Sequence, residues 1–176
     1  LIMNIFFIHH NIKKCAKYHS DKHVVKMILE MVQLLTCAQY FNYGGKPYKK
    51  AYKQTHINHP LSIWMRESYQ NYLYTIELAE ELCKEFRYRR NKIHACEYHL
   101  KRLKKLKSFE NRKIDWGDKI RLSMKKGCKY NITLIPMCMP IIFAKYDCAI
   151  KCYRRYYRSK KEINKWEWKN NKPAWY

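Results

Sequence analysis

The clearest pattern of apolar and polar positions lies between Ser20 and Phe41. Apolar residues recur there at spacings of three and four, which covers well over half of a helical surface. Ser20 or Asp21 provides an N-cap, and the Gly44-Gly45 pair provides a turn after the last apolar residue. The pattern predicts a central helix that the rest of the protein nearly surrounds.

A narrow polar stripe interrupts the apolar surface of this predicted helix. Lys22, Lys26, Glu30 and Gln33 repeat at four, four and three residues, with His23 at the N-terminal edge. These spacings stack side chains on one helix face. Because buried charge is costly unless it is paired or hydrogen-bonded, the stripe is either a structural Lys26–Glu30 ion pair or the floor of an active site. We favour the active site.

Three further elements follow from the same kind of pattern. The apolar stretch 1–8 predicts a buried extended segment. A second helix is expected to start at Pro60, with Asn58 as its cap, and to run to about Phe86. A third helix is predicted from about Asn91 to Lys107, and its basic face is either a ridge that follows phosphates or ordinary solvated charge.

The remainder of the chain predicts little regular structure until its last quarter. Residues 108–145 contain several Gly and Pro breakers and one short candidate strand, 132–135. A last helix is expected to begin near Asp147 and to continue through Arg158. With no internal repeat or linker, we predict a mostly α protein, a compact single-domain helical bundle (1–176) with a short N-terminal extended segment.

The charge of the chain indicates a polyanionic partner. Lys and Arg number 37 against 14 acidic residues, a net charge of +23. Aromatic residues make up 15% of the chain and include sixteen tyrosines, which suit base stacking beside phosphate contacts. An AT-rich genome would enrich Lys and Tyr, but it would enrich Glu as well, and acidic residues are scarce. We therefore expect nucleic acid, in particular double-stranded DNA, as the partner.

Hydropathy and cysteine usage bear on location. A mean hydropathy of −0.66 and the lack of an apolar run near eighteen residues argue against a membrane span, and of the two polyanions, nucleic acid and an acidic membrane surface, we expect no membrane as partner. The start of the chain has no convincing signal peptide, and the eight scattered cysteines favour reduced thiols. We expect an intracellular protein (host cytoplasm, nucleus or virion) with no obligate protein partner.

Metal chemistry is a rival possibility. His94, Cys96 and Cys138 lack the second close cysteine pair of a zinc deaminase. Enough side chains exist for a carboxylate-bridged site, but no Glu-x-x-His pair is present. These side chains are Asp21, His23, Glu30, His56, His59, Glu67, Glu77 and His94. We expect no cofactor, and a metal-dependent nucleic-acid-modifying enzyme stays an alternative.

The polar stripe suits amine and acid–base chemistry. Lys22 and Lys26 lie one helical turn apart, and a neighbouring cation favours the free, nucleophilic amine. Glu30 opposes this effect at Lys26, so Lys22 is the preferred amine. Asp21 and Glu30 are candidates to activate water or to stabilise positive charge on a sugar, and His23 to move a proton or hold a phosphate. With only four glycines, no phosphate-binding loop or nucleophile elbow is present.

A second group of residues suits contact with nucleic acid. Backbone N–H groups at the start of the second helix would attract a phosphate, although Asn58 and His59 are equally suited to capping alone. A Tyr or Trp near the C-terminus would fill the gap left by a displaced base. The candidate contacts are His56, His59, Arg66, Asn71, Arg154, Arg155, Tyr157, Trp175 and Tyr176.

Several short motifs carry a resemblance. Ala16-x-Tyr18 is followed by an acidic residue and a basic, Val-containing helix start; His59-Pro60 heads a long helix; and the chain ends in Pro-Ala-Trp-Tyr. In these features it resembles the pyrimidine dimer DNA glycosylases of the phage endonuclease V type. The Asp-Lys-His-Val-Val-Lys-Met-Ile-Leu-Glu, Asn-His-Pro and Tyr-Arg-x-Tyr-Tyr motifs resemble uncharacterised phage and large-DNA-virus proteins over most of the chain.

The glycosylase resemblance implies an all-α DNA repair enzyme with glycosylase and lyase activity on damaged bases such as pyrimidine dimers. That family attacks the sugar with the α-amine of a small N-terminal residue beside an essential Glu. Here Met3 is followed by the larger Asn4, and the acidic residue is Asp21, so a lysine would have to supply the amine. The alternative from a different class is a non-catalytic DNA-condensing or packaging protein, for which charge would suffice.

Overall fold

Six α-helices and one small antiparallel ribbon form the regular structure of residues 3–160, 166–169 and 172–176, which the computed structural model describes. The helices are α1 (Ile12–Tyr18), α2 (Asp21–Tyr43), α3 (Pro60–Glu67), α4 (Tyr69–Arg90), α5 (Glu97–Leu103) and α6 (Ala149–Ser159). The ribbon pairs β1 (Arg121–Leu122) with β2 (Ile135–Pro136), and a 3₁₀ turn covers Ile141–Phe143. The prediction of a mostly α protein is confirmed.

The central position of α2 follows from its sequence. The Ser20 side chain accepts a hydrogen bond from the His23 backbone N–H at 3.4 Å, and Gly44 ends the helix with φ +64°. Between these caps α2 packs against α3, α4 and α5. Ile28, Met31 and Leu35 are completely buried. A buried central helix with both predicted caps is therefore confirmed.

The N-terminal segment is buried, as predicted. Residues 3–8 are buried and form neither helix nor strand. Phe7 packs against Trp64 and Tyr74, with ring centroids 5.5 and 5.7 Å away. The pattern did not predict α1, which begins where the Asn11 side chain accepts a hydrogen bond from the Lys14 N–H.

The predicted second helix is in fact two helices. Ser68 has extended backbone angles (φ −142°, ψ 135°) and divides α3 from α4. Its side chain accepts a hydrogen bond from the Gln70 N–H at 3.2 Å, so the serine caps α4 and does not continue α3. The cap of α3 is His59, and the prediction of Asn58 was wrong.

Other predicted boundaries were too generous. Asn91 adopts a left-handed conformation (φ +50°) and ends α4, so α5 begins only at Glu97. The last helix starts at Ala149, with Cys148 at its N-cap position, and Asp147 pairs with Lys125 instead of capping the helix. The predicted strand is reduced to Ile135 and its neighbour, because only two residue pairs bond across the ribbon.

α2 is also long and apolar enough to span a membrane by length and composition, with a mean hydropathy of 1.3 over its most apolar window. The sequence of α2 contains no continuous apolar run, because Lys26, Glu30 and Gln33 interrupt it. In the folded chain 67% of that window is buried inside the protein, as in a core helix. The length and apolar composition of α2 therefore also fit a core helix that packs against other parts of this chain.

The cysteines and potential metal ligands are dispersed. All eight cysteines are free thiols, and six of them are buried. Burial raises the pKa of the Cys15 thiol to about 11. Within the described ranges, no three His, Cys, Asp or Glu side chains come together in a group that could hold a metal ion.

A buried carboxylate fastens the irregular segment between α5 and α6 to the helices. Glu67 at the end of α3 accepts hydrogen bonds from Trp116 Nε1 at 2.7 Å, Arg121 Nη2 at 2.8 Å and Thr133 Oγ1 at 2.5 Å. The Arg112 backbone N–H donates to the Glu67 carbonyl oxygen at 2.8 Å. One glutamate therefore holds three separate stretches of a segment that has almost no secondary structure of its own.

We expect Glu67→Gln to lower the free energy of unfolding by about 3 kcal/mol, because it leaves the largely buried Arg121 guanidinium without its counter-charge. Urea unfolding followed by circular dichroism measures this loss. The control is Glu77→Gln, which removes a more exposed ion pair with Lys129 and should cost much less. Equal losses in the two variants would show that the Glu67 contacts do not hold the segment in place.

Candidate functional site

Arg89 at the end of α4 fixes the position of the N-terminus of α2. Its side chain is 2% exposed, and all five guanidinium N–H groups are used. They donate to Asp21 Oδ1 at 2.9 Å, to Glu85 Oε2 twice, and to the backbone carbonyl oxygens of Lys17 and His19. The α1–α2 turn, and with it the start of the polar stripe, is thereby held against α4.

The chain after α6 covers this same turn. The Asp21 N–H donates to the Glu167 carbonyl oxygen at 2.8 Å, and Trp168 Nε1 donates to the Tyr18 carbonyl oxygen at 2.9 Å. Lys169 Nζ donates to the Arg89 carbonyl oxygen at 3.2 Å. Residues 166–169 are therefore joined to both α4 and the start of α2.

Beneath this covering, His23 sits in a cluster of aromatic rings. Its imidazole stacks on Phe6 with centroids 4.8 Å apart, lies 4.6 Å from the Trp166 ring, and meets the edge of Tyr157 at 5.1 Å. Burial lowers the pKa of His23 to about 2, with further contributions from the positive charges of His19 and Lys26. His23 is thus neutral at physiological pH and unsuited to holding a phosphate as a cation.

His19 is a second buried histidine beside it, with the two ring centroids 6.4 Å apart. His19 Nδ1 lies 2.8 Å from the Cys15 carbonyl oxygen, which can only accept, so Nδ1 carries the proton. Burial lowers the pKa of His19 to about 4. Among the described residues, His19 Nε2 and His23 Nδ1 have no hydrogen-bond partner.

Lys26 and Glu30 form the one ion pair within the polar stripe. Lys26 Nζ lies 3.1 Å from Glu30 Oε1, and the side chains are 42% and 5% exposed. Glu30 Oε2 accepts a hydrogen bond from the Asn4 backbone N–H at 2.8 Å. Glu30 Oε1 has no properly aligned donor in the described part of the chain. The pair therefore combines a fixed, buried carboxylate with an amine that solvent can reach.

The structure does not bring the whole predicted catalytic group together. Asp21 is committed to Arg89, and nine residues of helix, roughly 13 Å at 1.5 Å per residue, separate it from Glu30. Lys22 is exposed, without an ion pair among those found in the described residues. Asp21 therefore serves the fold here, while Lys26 and Glu30 stay together as an ion pair in the stripe.

The residues predicted around the start of α3 have structural partners. His59 Nδ1 accepts a hydrogen bond from the Leu61 N–H at 3.2 Å, the capping alternative. Arg66 stacks on Phe41 at 4.2 Å and donates to the Ile57 carbonyl oxygen at 2.7 Å. His56 is exposed, so of these three it is the most accessible to a ligand.

Asn71 lies in the interior of the protein. Its Nδ2 donates to the Trp64 carbonyl oxygen and to Thr133 Oγ1, both at 2.8 Å, and its Oδ1 accepts from the Thr133 N–H. A direct contact between Asn71 and nucleic acid would require these bonds to break. Asn71 therefore helps Glu67 to hold the segment between α5 and α6 against the helices.

The predicted contacts in α6 divide by burial. Tyr157 is completely buried, and its hydroxyl accepts a hydrogen bond from the Ser20 N–H at 2.8 Å, so it positions the cap of α2. Arg154 and Arg155 are half-buried and lie toward the surface. Arg154 Nε donates to the Ile8 carbonyl oxygen at 2.8 Å, and Arg155 lies 5.8 Å from the Tyr146 ring.

The two C-terminal aromatic residues are half-buried against this helix. Trp175 lies 6.2 Å from Tyr18 and 6.1 Å from Tyr157 between ring centroids, and Arg154 lies over its ring at 5.0 Å. Tyr176 lies 6.3 Å from Tyr157. In this arrangement both rings complete the aromatic cluster around the start of α2.

Sequence patterns alone did not indicate that Arg89, His19 and Asn4 belong to the site. Asn4 carried a usable signal, because it is the one polar residue in the apolar stretch 3–8. Arg89 had none, since three neighbouring positions in the run Arg87 to Arg90 are also aromatic or basic and only one faces inward.

Comparison of the chain with models of protein families, with curated proteins and with solved structures finds no match.

Replacing Arg89 with lysine should lower the free energy of unfolding by about 3 kcal/mol, because an ammonium cannot make the five directed hydrogen bonds of the guanidinium. Urea unfolding provides the measurement. Arg90→Lys at the adjacent, exposed position is the matched control and should be close to neutral. A neutral Arg89→Lys variant would contradict the positioning role.

Acidification should destabilise the protein through the buried histidines. Between pH 6.5 and about 4, the unfolded chain binds protons at His19 and His23 while the folded chain does not. Stability is therefore lost as pH falls, by up to about 1.4 kcal/mol per pH unit for each histidine. Urea unfolding at pH 7.0, 5.5 and 4.5 tests this. His23→Phe should flatten the profile, and an unchanged slope in that variant would refute the assignment.

Proposed function

We propose that this protein is a DNA-binding enzyme of the repair type, a DNA glycosylase and lyase that acts on a damaged base such as a pyrimidine dimer. The observation that carries the proposal is the Lys26–Glu30 pair, in which a half-exposed amine lies 3.1 Å from a buried carboxylate held by a backbone donor. The net charge of +23 supports a nucleic-acid substrate.

Each member of the pair has a distinct role in the proposed reaction. Lys26 Nζ attacks C1′ of the damaged nucleotide while Glu30 Oε1, already within proton-transfer distance, takes a proton from the amine. The bond between C1′ and the base breaks, and the departing base takes the electron pair and the proton held by Glu30. Nζ then gives up a second proton to O4′ as the C1′–O4′ bond breaks, so the sugar ring opens to an iminium on Lys26. Removal of a C2′ proton then breaks the C3′–O bond and nicks the strand.

The choice of Lys26 over Lys22 rests on geometry. Lys22 is exposed and has no carboxylate within ion-pair distance among the described residues, so nothing near it would accept the amine proton. Lys26 has Glu30 as that acceptor, so the carboxylate that favours the charged amine at rest is also the group that removes its proton. Lys22 is then available for a phosphate of the same strand, one helical turn away.

The rival proposal, a DNA-condensing or packaging protein, is favoured by the same charge without any need for the pair. The two differ in what happens when the pair is removed. For a condensing protein, Lys26→Met changes little, because one charge in thirty-seven basic residues is lost. For the enzyme, chemistry is lost while affinity for DNA is kept.

We expect Glu30→Gln to lower nicking of UV-irradiated supercoiled plasmid by about 100-fold, the usual contribution of a positioned acid or base, and Lys26→Met, which removes the nucleophile, to lower it at least as much. Affinity for DNA, measured by fluorescence anisotropy, should stay within about threefold of wild type. Intact plasmid should not be nicked, and EDTA should have no effect.

The matched controls are Lys84→Met and Glu81→Gln, which remove another helical ion pair between an exposed lysine and a largely buried glutamate. Their nicking activity should equal that of wild type. If wild type binds DNA but cleaves neither plasmid, the glycosylase proposal fails and the condensing protein is preferred. If EDTA abolishes cleavage, the metal-dependent alternative takes its place.

A further inference from the structure

A cleft of about 260 Å³ lies between α1 and the C-terminal residues 172–174. Lys14, Lys17 and Tyr18 form one wall, and Lys172 with the two residues that follow it forms the other. Among the described residues, no acidic side chain lines it. The cleft therefore gathers three ammonium groups around an opening smaller than the usual pocket for a drug-sized ligand.

The three lysines have no acidic partner in the described part of the chain. The ion pairs found there include exposed lysines elsewhere, such as Lys84, which faces Glu81. None includes Lys14, Lys17 or Lys172. Clustered cations without counter-charges create a positive potential that attracts an anion from solution.

Neighbouring groups strengthen this potential. Arg154 lies over the Trp175 ring beside the cleft, and Arg158 donates to the Trp175 carbonyl oxygen at 3.0 Å. The pKa of His9 is lowered to about 4, first by burial and then by the positive charges of His10, Arg154 and Lys14. Burial is the larger cause of this shift, and only the smaller contribution from the positive charges also favours an anion.

We propose that this cleft binds the phosphodiester backbone of a nucleic acid. Three lysines match the spaced single charges of a phosphate chain, and Tyr18 offers a ring beside them for a base or sugar. The proposal rests on the proposed function in one respect, namely that the bound strand is the substrate.

A continuous line of aromatic contacts joins the cleft to His23 in the first turn of α2. Tyr18 at the cleft contacts Trp175, Trp175 contacts Tyr157, and Tyr157 contacts His23, with centroid distances of 6.2, 6.1 and 5.1 Å. The positive charge of Lys26 contributes to the lowered pKa of His23. The cleft and the first turn of α2 are therefore packed against the same aromatic cluster.

A membrane surface is a less suitable occupant. Binding to a lipid interface combines basic residues with exposed large apolar side chains that enter the acyl region. The exposed large hydrophobic residues of the described chain, such as Ile93, Ile141 and Ile142, do not line the cleft. Its walls suit a polar, charged ligand.

The test is the salt dependence of binding to undamaged, fluorescently labelled duplex, which does not depend on catalysis. The triple variant Lys14→Gln/Lys17→Gln/Lys172→Gln should reduce the slope of log K against log salt by roughly three and weaken binding roughly tenfold or more at moderate salt. The corresponding triple arginine variant should bind like wild type, because it keeps all three charges.

The control removes the same net charge from ion-paired positions: Lys84→Gln/Lys104→Gln/Lys129→Gln, whose lysines each face a glutamate. A smaller loss in this variant than in the cleft variant supports the cleft. Equal losses would overturn the cleft alone and leave the proposed function standing. No binding of duplex by wild type would overturn both.

A parallel experiment separates nucleic acid from lipid. Wild type and the cleft variant are sedimented with phosphatidylserine-containing vesicles. Loss of vesicle binding in the cleft variant, together with unchanged affinity for duplex, would overturn the proposal in favour of a membrane site. Unchanged vesicle binding with weakened duplex binding supports it.

Discussion

The buried guanidinium of Arg89 is the interaction on which the candidate site depends. Its five N–H groups join α4 to two backbone carbonyl oxygens in the α1–α2 turn and to the carboxylates of Asp21 and Glu85. A buried charge of this kind is stable only when every donor is satisfied, so the surrounding turn has one acceptable geometry. That geometry fixes where α2 begins and which of its residues face the core.

The polar residues of α2 consequently differ in their surroundings. At the first turn of α2, Asp21 accepts a hydrogen bond from Arg89, and His23 is enclosed by aromatic rings. Two turns further on, Glu30 is held by the Asn4 backbone N–H, and Lys26 covers its second oxygen from the solvent side. The N-terminal segment thus supplies the donor that lets a carboxylate stay buried on a central helix. In the proposed function, the positive charge around this end of the protein attracts the nucleic acid.

Local patterns predicted much of this arrangement, and long-range contacts account for the rest. Periodicity identified α2, its caps and the buried start of the chain. It failed at Ser68, whose own side chain ends one helix and caps the next, because an apolar stripe continues on either side of the break. The Lys26–Glu30 pair follows from helical spacing, whereas the pairing of Asp21 with Arg89 joins residues 68 positions apart. Helical spacing predicts contacts only between residues three or four positions apart, so it could not predict this pair.

The most direct test of the account is to identify the amine that becomes attached to DNA. The protein is incubated with UV-irradiated duplex and borohydride, the covalent complex is digested, and the modified peptide is sequenced by mass spectrometry. We expect an adduct on Lys26, with none in Lys26→Met. An adduct on another lysine, or cleavage of DNA without any trapped complex, would contradict it.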